Sequence, residues 1–364
     1  MNFSEKDILK ALSTVNDPDI QRDLVSLGMI KDVKVYNTQV AFTVVLTTPA
    51  CPLKAKIEKD CRDAVENVVG KEVEINITMT SSVTTLRDNA PLLPGVKNII
   101  AIASGKGGVG KSTVTSNLAV ALAKAGAKVG LIDADIYGPS MPVMFNCEFE
   151  QPNVKNVNGK NIIEPIEQYG VKIMSIGFLT PPDSAVVWRG PMASSALKQF
   201  ISDAEWGELD YLLIDLPPGT SDIHLTLVQT VPVTGAVIVT TPQKVALADA
   251  QKGLAMFKQP QINVPVLGVI ENMAYFTPEE LPDNKYYIFG KDGGSSLAAK
   301  FDVPFLGQIP LVQSIRESGD SGLPAVLKEG ATAQAFQELA ETLARHIAIR
   351  NASQNQTKRV EVIV

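Results

Sequence analysis

The chain has 364 residues, of which 45% are hydrophobic and 20% are charged, and its formal net charge is −6. This balance is typical of a soluble globular protein with one or two domains, and the acidic excess argues against nucleic acid or an anionic membrane as a partner. Because the sequence has neither a signal-peptide pattern nor a bilayer-spanning apolar run, we expect a cytoplasmic protein.

Residues 1–80 predict a small α+β domain. Its predicted elements are a short amphipathic helix over 3–12, a second helix over 53–69, and three strands over 30–36, 39–46 and 73–79. A turn is expected at Asn37 and Thr38, between the first two strands. Residues 81–96, which include Pro91 and Pro94, predict a linker.

Short apolar strands alternate with helical patterns over residues 97–350. The predicted strands are 98–103, 128–132, 171–176, 211–214, 236–240, 266–270 and 305–309. Apolar runs of this length are typical of strands that are buried on both faces of a parallel sheet. We therefore predict an α/β domain over 97–350 with a mostly parallel sheet, a terminal helix over 332–349, and a flexible tail over 351–364.

Residues 105–112 read Gly-Lys-Gly-Gly-Val-Gly-Lys-Ser and match the phosphate-binding pattern G-x-x-x-x-G-K-[ST]. A predicted strand precedes them and a predicted helix follows, which directs backbone N–H groups and a helix N-terminus at phosphate oxygens. We expect Lys111 to neutralise the phosphates of ATP and the Ser112 hydroxyl to bind Mg²⁺. The predicted nucleotide contacts are Gly105, Lys106, Gly107, Gly108, Val109, Gly110, Lys111, Ser112 and Thr113.

Carboxylates end two of the predicted strands. Asp133 and Asp135 follow one strand, and Asp215 ends another. Ligands bind at the carboxyl ends of parallel strands, so one of the first two carboxylates can organise Mg²⁺ and the other can hold an attacking water. Asp215 is predicted to be a second metal-supporting carboxylate. The alternative for each is a solvated strand end or a turn residue.

The stretch 105–113 resembles the deviant phosphate-binding loop of dimeric ATPases such as the partitioning, arsenite-pump and nitrogenase iron-protein families. In those families a lysine at the position of Lys106 reaches the nucleotide held by the partner subunit. The resemblance implies a homodimer, catalytic roles for Lys106, Lys111 and Asp135, and metal support from Asp133, with Asp135 positioning the water. The alternative for Lys106 is a solvated surface lysine.

Longer segments resemble the Mrp/ApbC family, whose members are regarded as carriers or scaffolds for iron–sulfur clusters. The segments that carry this likeness are 133–142, 188–192, 196–200 and 206–220. The resemblance covers about residues 95–345 and implies apo iron–sulfur clients or other assembly factors as partners. In the wider ATPase class an asparagine at the position of Asn272 contacts the adenine base; its alternative role is a turn residue after a strand.

The first 80 residues resemble a small domain of other iron–sulfur assembly factors. The likeness rests on residues 17–20, 27–30 and 47–52. Cys51 precedes a predicted helix, and a thiol at a helix N-terminus has a lowered pKa and is a better metal ligand. Cys51 is therefore a candidate cluster ligand, and its alternative role is that of a small capping residue.

The Mrp/ApbC family normally carries a Cys-x-x-Cys pair after the Glu-Asn-Met segment found here at 271–273, but residues 274–290 contain no cysteine. Iron–sulfur clusters usually take four thiolates, and Cys61 and Cys147 are predicted to be structural. Three outcomes stay open. The protein carries a cluster with Cys51 and ligands from elsewhere, it is an ATP-driven adaptor that holds no cluster, or it is a partitioning-type switch.

Overall fold

The computed structural model describes residues 3–36, 39–87, 92–157, 159–179, 190–278, 280–281 and 284–360. The chain forms two compact units, one made of Met1–Thr84 with Ala344–Gln354 and the other of Thr85–Leu343 with Asn355–Val364. Several predictions fall outside the described residues: the turn at 37–38, linker residues 88–91, the family motif at 188–189, and tail residues 361–364.

The first unit has α+β architecture, as the sequence predicts. Its elements are α1 (Glu5–Leu12), β1 (Ile30–Tyr36), β2 (Gln39–Leu46), α2 (Lys54–Val69) and β3 (Glu74–Ser81). The sheet order is β1-β2-β3, with β1 antiparallel and β3 parallel to β2. Every second residue of β2 is buried, and this face packs in one core with apolar residues of α1 and α2 such as Ile8 and Ile57.

The second unit is an α/β domain. Its elements are β4 (Val96–Ala103), α3 (Lys111–Lys124), β5 (Val129–Asp133), α4 (Met141–Met144), β6 (Val154–Val157), β7 (Lys160–Ile163), β8 (Ile166–Gln168), β9 (Val171–Ser175), α5 (Gly190–Ser202), β10 (Leu209–Asp215), α6 (Asp222–Thr230), β11 (Gly235–Thr240), α7 (Lys244–Lys258), β12 (Val266–Glu271), α8 (Gly293–Phe301), β13 (Phe305–Gln308) and α9 (Gln313–Asp320). The last helix, α10 (Ala331–Ser353), begins in this unit, and its residues from Ala344 onward belong to the first unit. Short 3₁₀ turns cover Ile176–Phe178 and Ala325–Leu327.

An eight-stranded sheet organises the described part of this unit, in the order β13-β12-β11-β4-β10-β5-β9-β8. All neighbouring pairs are parallel except β8 and β9. The central strands are buried along nearly their whole length, which explains their continuous apolar sequences. The predicted fold class, a mostly parallel P-loop α/β domain with a small α+β domain, is confirmed.

The register of the central strands determines where the strand-end carboxylates lie. Asp215 of β10 is paired with Ile102 of β4 on one side and with Asp133 of β5 on the other. The loop that follows β4 therefore leaves the sheet at the same edge as both carboxylates. This is the edge at which open α/β sheets bind ligands.

Two parts of the chain differ from the sequence prediction. The strands β6, β7 and β8 were not predicted, because β6 and β7 are largely exposed, β8 is only half-buried, and all three lack the apolar runs that mark the buried strands. The tail predicted to be flexible over 351–364 is helical as far as Ser353. Farther along, Val360 is buried and its N–H donates to the Val228 carbonyl at 2.9 Å.

Candidate functional site

Residues 105–112, here called the glycine loop, join β4 to the start of α3. Close contacts require glycine at two positions of this loop. A Cβ on Gly105 would lie 2.0 Å from the backbone carbon of Asp249 in α7. Gly110 has φ +79°, and a Cβ there would lie 2.2 Å from the Asn272 Nδ2 atom. Residues with side chains are excluded at both positions by packing, and at Gly110 also by backbone conformation. The loop is thus held between α7 on one side and Asn272 on the other.

The Asp215 carboxylate is fully buried and receives three side-chain donors from the start of α3. Lys111 Nζ lies 2.7 Å and Ser112 Oγ 2.6 Å from Asp215 Oδ2. Thr115 Oγ1 lies 2.6 Å from the other oxygen, Oδ1. Charge-assisted hydrogen bonds of this length are strong, so they attach the first two turns of α3 to the end of β10. The hydroxyl and carboxylate oxygens of Ser112 and Asp215 are the hard donors that suit Mg²⁺.

Asp135 lies near the same lysine. Its Oδ2 atom is 3.7 Å from Lys111 Nζ, and the Asp135 side chain is partly exposed. Burial raises the pKa of Asp135 above its ordinary value, and the positive charge of Lys111 opposes that rise. Asp135 also lines the cavity above the glycine loop, so its carboxylate faces the space that a bound phosphate would occupy.

Asp133 has a different environment from the one that its sequence position predicts. Its Oδ2 accepts the N–H groups of Ser140 and Met141, each at 3.1 Å, and the Ser175 hydroxyl at 3.0 Å. Its Oδ1 accepts the N–H of Asp135 at 3.2 Å. These bonds hold the loop between β5 and α4.

Asp133 is fully buried, and this burial affects its pKa. Desolvation, followed by the negative charge of Asp215, raises the pKa of Asp133 to about 7. The N–H of Met141 and the charge of Lys111 act in the opposite direction. The structure therefore gives Asp133 a role in holding the loop after β5, and metal support from Asp133 stays a prediction.

An open cavity of about 220 Å³ lies above the glycine loop. It is lined by Ser104, by Lys106 to Thr113, and by Asp135, Ser140, Met144 and Pro218. The structure thus brings the predicted phosphate-contacting residues from Lys106 to Thr113 to one surface, together with Asp135. Lys106 itself is exposed, and its side chain has no ion-pair partner in the described part of the chain.

A second groove, of about 460 Å³, continues from this cavity. The two share Gly110, Thr113, Ser140 and Met144 as lining residues, and the groove extends along Asn272, Met273, Pro310, Leu311, Val312, Ile315 and Arg316. Asn272 is buried, and its Nδ2 donates to the Val109 carbonyl at 2.9 Å. This contact ties the segment after β12 to the glycine loop, so Asn272 lies where the two cavities meet.

None of the three cysteines forms a disulfide. Cys61 is buried in α2 and Cys147 is buried after α4, and burial raises the pKa of each thiol to about 12. Cys51 is half-buried and lies three residues before the start of α2. Thiolates are the form that binds iron, so Cys51 is the best suited of the three to act as a ligand.

The described residues contain no cluster of three or more His, Cys, Asp or Glu side chains arranged to hold a metal ion. Magnesium bound with a nucleotide does not require such a cluster, because phosphates and waters supply most of its ligands. None of the described helices has the length and apolar composition needed to cross a membrane.

Sequence reasoning missed the residues that support the carboxylates. The roles of Thr115 beside Asp215 and of Ser140 and Ser175 beside Asp133 depend on contacts between distant segments. The helical spacing of Thr115, four residues after Lys111, was the one local signal, because it places both side chains on the same face of α3.

The strand, glycine loop and helix, with a buried lysine beside a strand-end aspartate, define the nucleotide-binding site of a P-loop NTPase. Comparison with known families narrows this class. The family model described as NUBPL iron-transfer P-loop NTPase matches residues 95–344, and that of the iron–sulfur cluster assembly proteins matches residues 5–77. The chain therefore belongs to the Mrp/ApbC/NUBPL family of iron–sulfur cluster carrier proteins, which confirms the resemblance seen in the sequence.

Individual relatives agree with this assignment. An iron–sulfur cluster carrier protein of Synechocystis is 48% identical over 345 residues, covering 94% of this chain and 97% of the relative. One of Deinococcus radiodurans is 49% identical over 352 residues, covering 95% and 97%. A solved nucleotide-binding protein of Archaeoglobus fulgidus, in complex with ADP, is 40% identical, covers 65% of this chain and 91% of its own, and superposes with a TM-score of 0.56.

Proposed function

We propose that this protein binds and hydrolyses Mg–ATP and uses the nucleotide to drive a step of iron–sulfur cluster assembly. The observation that carries the proposal is the group formed by Lys111, Ser112 and Asp215 at the base of an open cavity, with Asp135 beside it. The A. fulgidus relative, which holds ADP, supports nucleotide binding. Family membership favours cluster assembly over a partitioning-type switch.

Each residue of this group has a separate task in the proposed reaction. The loop N–H groups and Lys111 hold the phosphates, and Ser112 with Asp215 would hold Mg²⁺, which supplies charge stabilisation at the phosphates when it is bound. Asp135 orients the attacking water. Asn272 would recognise the adenine base from the groove, because its amide nitrogen is already bonded to Val109 and its oxygen is left to accept from an amino group.

The role of Asp135 is tested by Asp135→Asn, which removes the charge and keeps the shape. We expect ATP affinity to change less than about threefold and turnover to fall at least about 100-fold, because water positioning and proton transfer act on the chemical step. Calorimetry and phosphate release measure the two effects. Asp63→Asn, at an exposed ion pair in α2, is the control. A loss of ATP affinity with no change in turnover per bound ATP would contradict the water-positioning role.

The exposed position of Lys106 supports the proposal that two copies form a homodimer around the nucleotide. In the presence of a non-hydrolysed ATP analogue, we expect Lys106→Ala to weaken dimerisation about tenfold, because one charged contact to phosphate is lost. Light scattering over a concentration series measures this, and Lys244→Ala, an exposed lysine at the start of α7, is the control. Dimerisation that does not depend on Lys106 would contradict this role.

The cluster itself would be cargo, and the chain offers few ligands for it. The sequence has three cysteines and no Cys-x-x-Cys pair, and two of the three thiols are buried. We propose that Cys51 is the cluster ligand of this chain and that the remaining ligands come from a second copy or from a client protein. The competing function, an adaptor that holds no cluster, is favoured by the raised pKa values of Cys61 and Cys147.

Anaerobic reconstitution separates these two functions. If Cys51 is a ligand, we expect the wild-type protein and Cys147→Ala to retain iron and sulfide, and Cys51→Ala to lose most of both. Iron and sulfide assays after desalting give the result, and thermal unfolding checks that each variant is folded. A wild-type protein that retains neither iron nor sulfide would favour the adaptor and would leave the ATPase proposal unaffected.

A further inference from the structure

Thr115 is a fully buried side chain that the reaction described above does not use. It lies in the second turn of α3 and does not line the cavity over the glycine loop. Its hydroxyl is 2.6 Å from Asp215 Oδ1 and 2.9 Å from the Lys111 carbonyl oxygen. Thr115 thus contacts the proposed metal-binding carboxylate without reaching the nucleotide.

The hydroxyl has one proton, so it can donate fully to only one of these two acceptors. The shorter distance and the negative charge of the carboxylate select Asp215. Donation to the Lys111 carbonyl would be an ordinary back-bond within the helix, and it would turn a hydroxyl lone pair towards a carboxylate oxygen. The buried contact is therefore a charge-assisted hydrogen bond from α3 to the end of β10.

The two oxygens of Asp215 have different partners, so the Thr115 bond to one oxygen can fix the direction of the other. Lys111 and Ser112 both contact Oδ2, and both have tasks at the phosphates and the metal when nucleotide is bound. Within the described part of the chain, Thr115 is the one side chain that donates to Oδ1, and it has no such task. A carboxylate rotates easily about its terminal torsion, so a donor fixed on one oxygen sets the direction of the other.

We propose that Thr115 is a positioning residue that orients the Asp215 carboxylate, so that Oδ2 faces Ser112 and can support Mg²⁺ when nucleotide is bound. This inference rests on the proposed binding of Mg–ATP and deepens it. It predicts that the Thr115 hydroxyl contributes to the metal-dependent part of nucleotide affinity and not to the metal-independent part.

The test compares Thr115→Val, which keeps the branched shape, with Thr115→Ser, which keeps the hydroxyl. Calorimetry measures the affinity for a non-hydrolysed ATP analogue in Mg²⁺ and in EDTA. The affinity in Mg²⁺ divided by the affinity in EDTA is the Mg²⁺ enhancement. We expect Thr115→Val to reduce that enhancement about tenfold, as for the loss of one hydrogen bond to a charged group, with affinity in EDTA unchanged within about twofold. Thr115→Ser should match the wild-type protein within about twofold.

Ser116→Ala is the matched control, because it removes another buried hydroxyl of α3 that bonds the Thr113 carbonyl and not Asp215. It should keep the wild-type enhancement. The inference is overturned if Thr115→Val keeps that enhancement, if Thr115→Ser loses it equally, or if Thr115→Val weakens binding in EDTA as much as in Mg²⁺. A wild-type protein without any enhancement also overturns it.

The same measurement distinguishes failure of the inference from failure of the proposed function. If the wild-type protein binds the analogue with Mg²⁺ enhancement but releases no phosphate from ATP, the proposed hydrolysis fails. In that case the comparison of Thr115→Val with Thr115→Ser still decides the positioning role, because binding does not require turnover.

Discussion

Lys111→Ala is expected to abolish measurable ATP turnover and to weaken ATP binding at least about 100-fold. The Lys111 ammonium group contacts both Asp215 and Asp135, and it lines the cavity in which the phosphates would lie. Without it the phosphate charge is uncompensated next to two carboxylates, so electrostatic repulsion adds to the lost attraction. Phosphate release and calorimetry with ATP measure the two quantities.

Loss of Lys111 should also affect the nucleotide-free protein. Asp215 is fully buried, and removal of one partner of a buried ion pair costs about 3 kcal/mol or more of unfolding free energy. We expect the double variant Lys111→Ala with Asp215→Asn to regain part of that stability, because neither charge is then buried alone, while turnover stays absent. Urea unfolding of both variants tests this coupling.

Lys128→Ala is the control for the Lys111 experiments. Lys128 is exposed and immediately precedes β5, so it lies at the opposite edge of the sheet from the glycine loop. It should have wild-type ATP binding and turnover. If Lys111→Ala hydrolysed ATP at the wild-type rate, the assignment of the glycine loop as the nucleotide site would be wrong.

The sequence was sufficient to predict the fold class because its signals are local. The central strands are buried on both faces, so each appears as a short apolar run, and the glycine loop lies between such a strand and a helix. Gly105 and Gly110 are explained in the structure by contacts with α7 and Asn272, but their spacing is visible in the sequence alone. A local pattern of this kind requires no knowledge of tertiary contacts.

The roles of the carboxylates were not predictable in the same way, because they depend on residues distant in the chain. Asp133 and Asp215 both end buried strands and are neighbours across the sheet. Asp133 accepts hydrogen bonds from Ser140 and Ser175, whereas Asp215 accepts them from the start of α3. Strand-end position alone does not distinguish a carboxylate that bonds the loop after its own strand from one that bonds the start of α3.

Asp215→Asn is expected to remove the effect of Mg²⁺ on nucleotide binding and to lower turnover at least about 100-fold. The substitution keeps the size of the side chain but replaces a charged oxygen beside Ser112 by a neutral group, which is a poor magnesium ligand. Binding of ATP in EDTA should persist, because Lys111 and the loop N–H groups remain. It should even tighten slightly, because Lys111 no longer pairs with Asp215.

This combination separates metal binding from phosphate binding. Lys111→Ala should weaken ATP binding both with Mg²⁺ and in EDTA. Asp215→Asn should lose only the gain in ATP affinity that Mg²⁺ produces. Asp210→Asn is the control, because Asp210 lies on the same strand and pairs with Lys97 near the amino end of β10. If Asp215→Asn kept a wild-type Mg²⁺ effect, the metal ligand would have to be another carboxylate. Asp135 would then be the next candidate, because it lines the cavity over the glycine loop and its Oδ2 lies 3.7 Å from Lys111 Nζ.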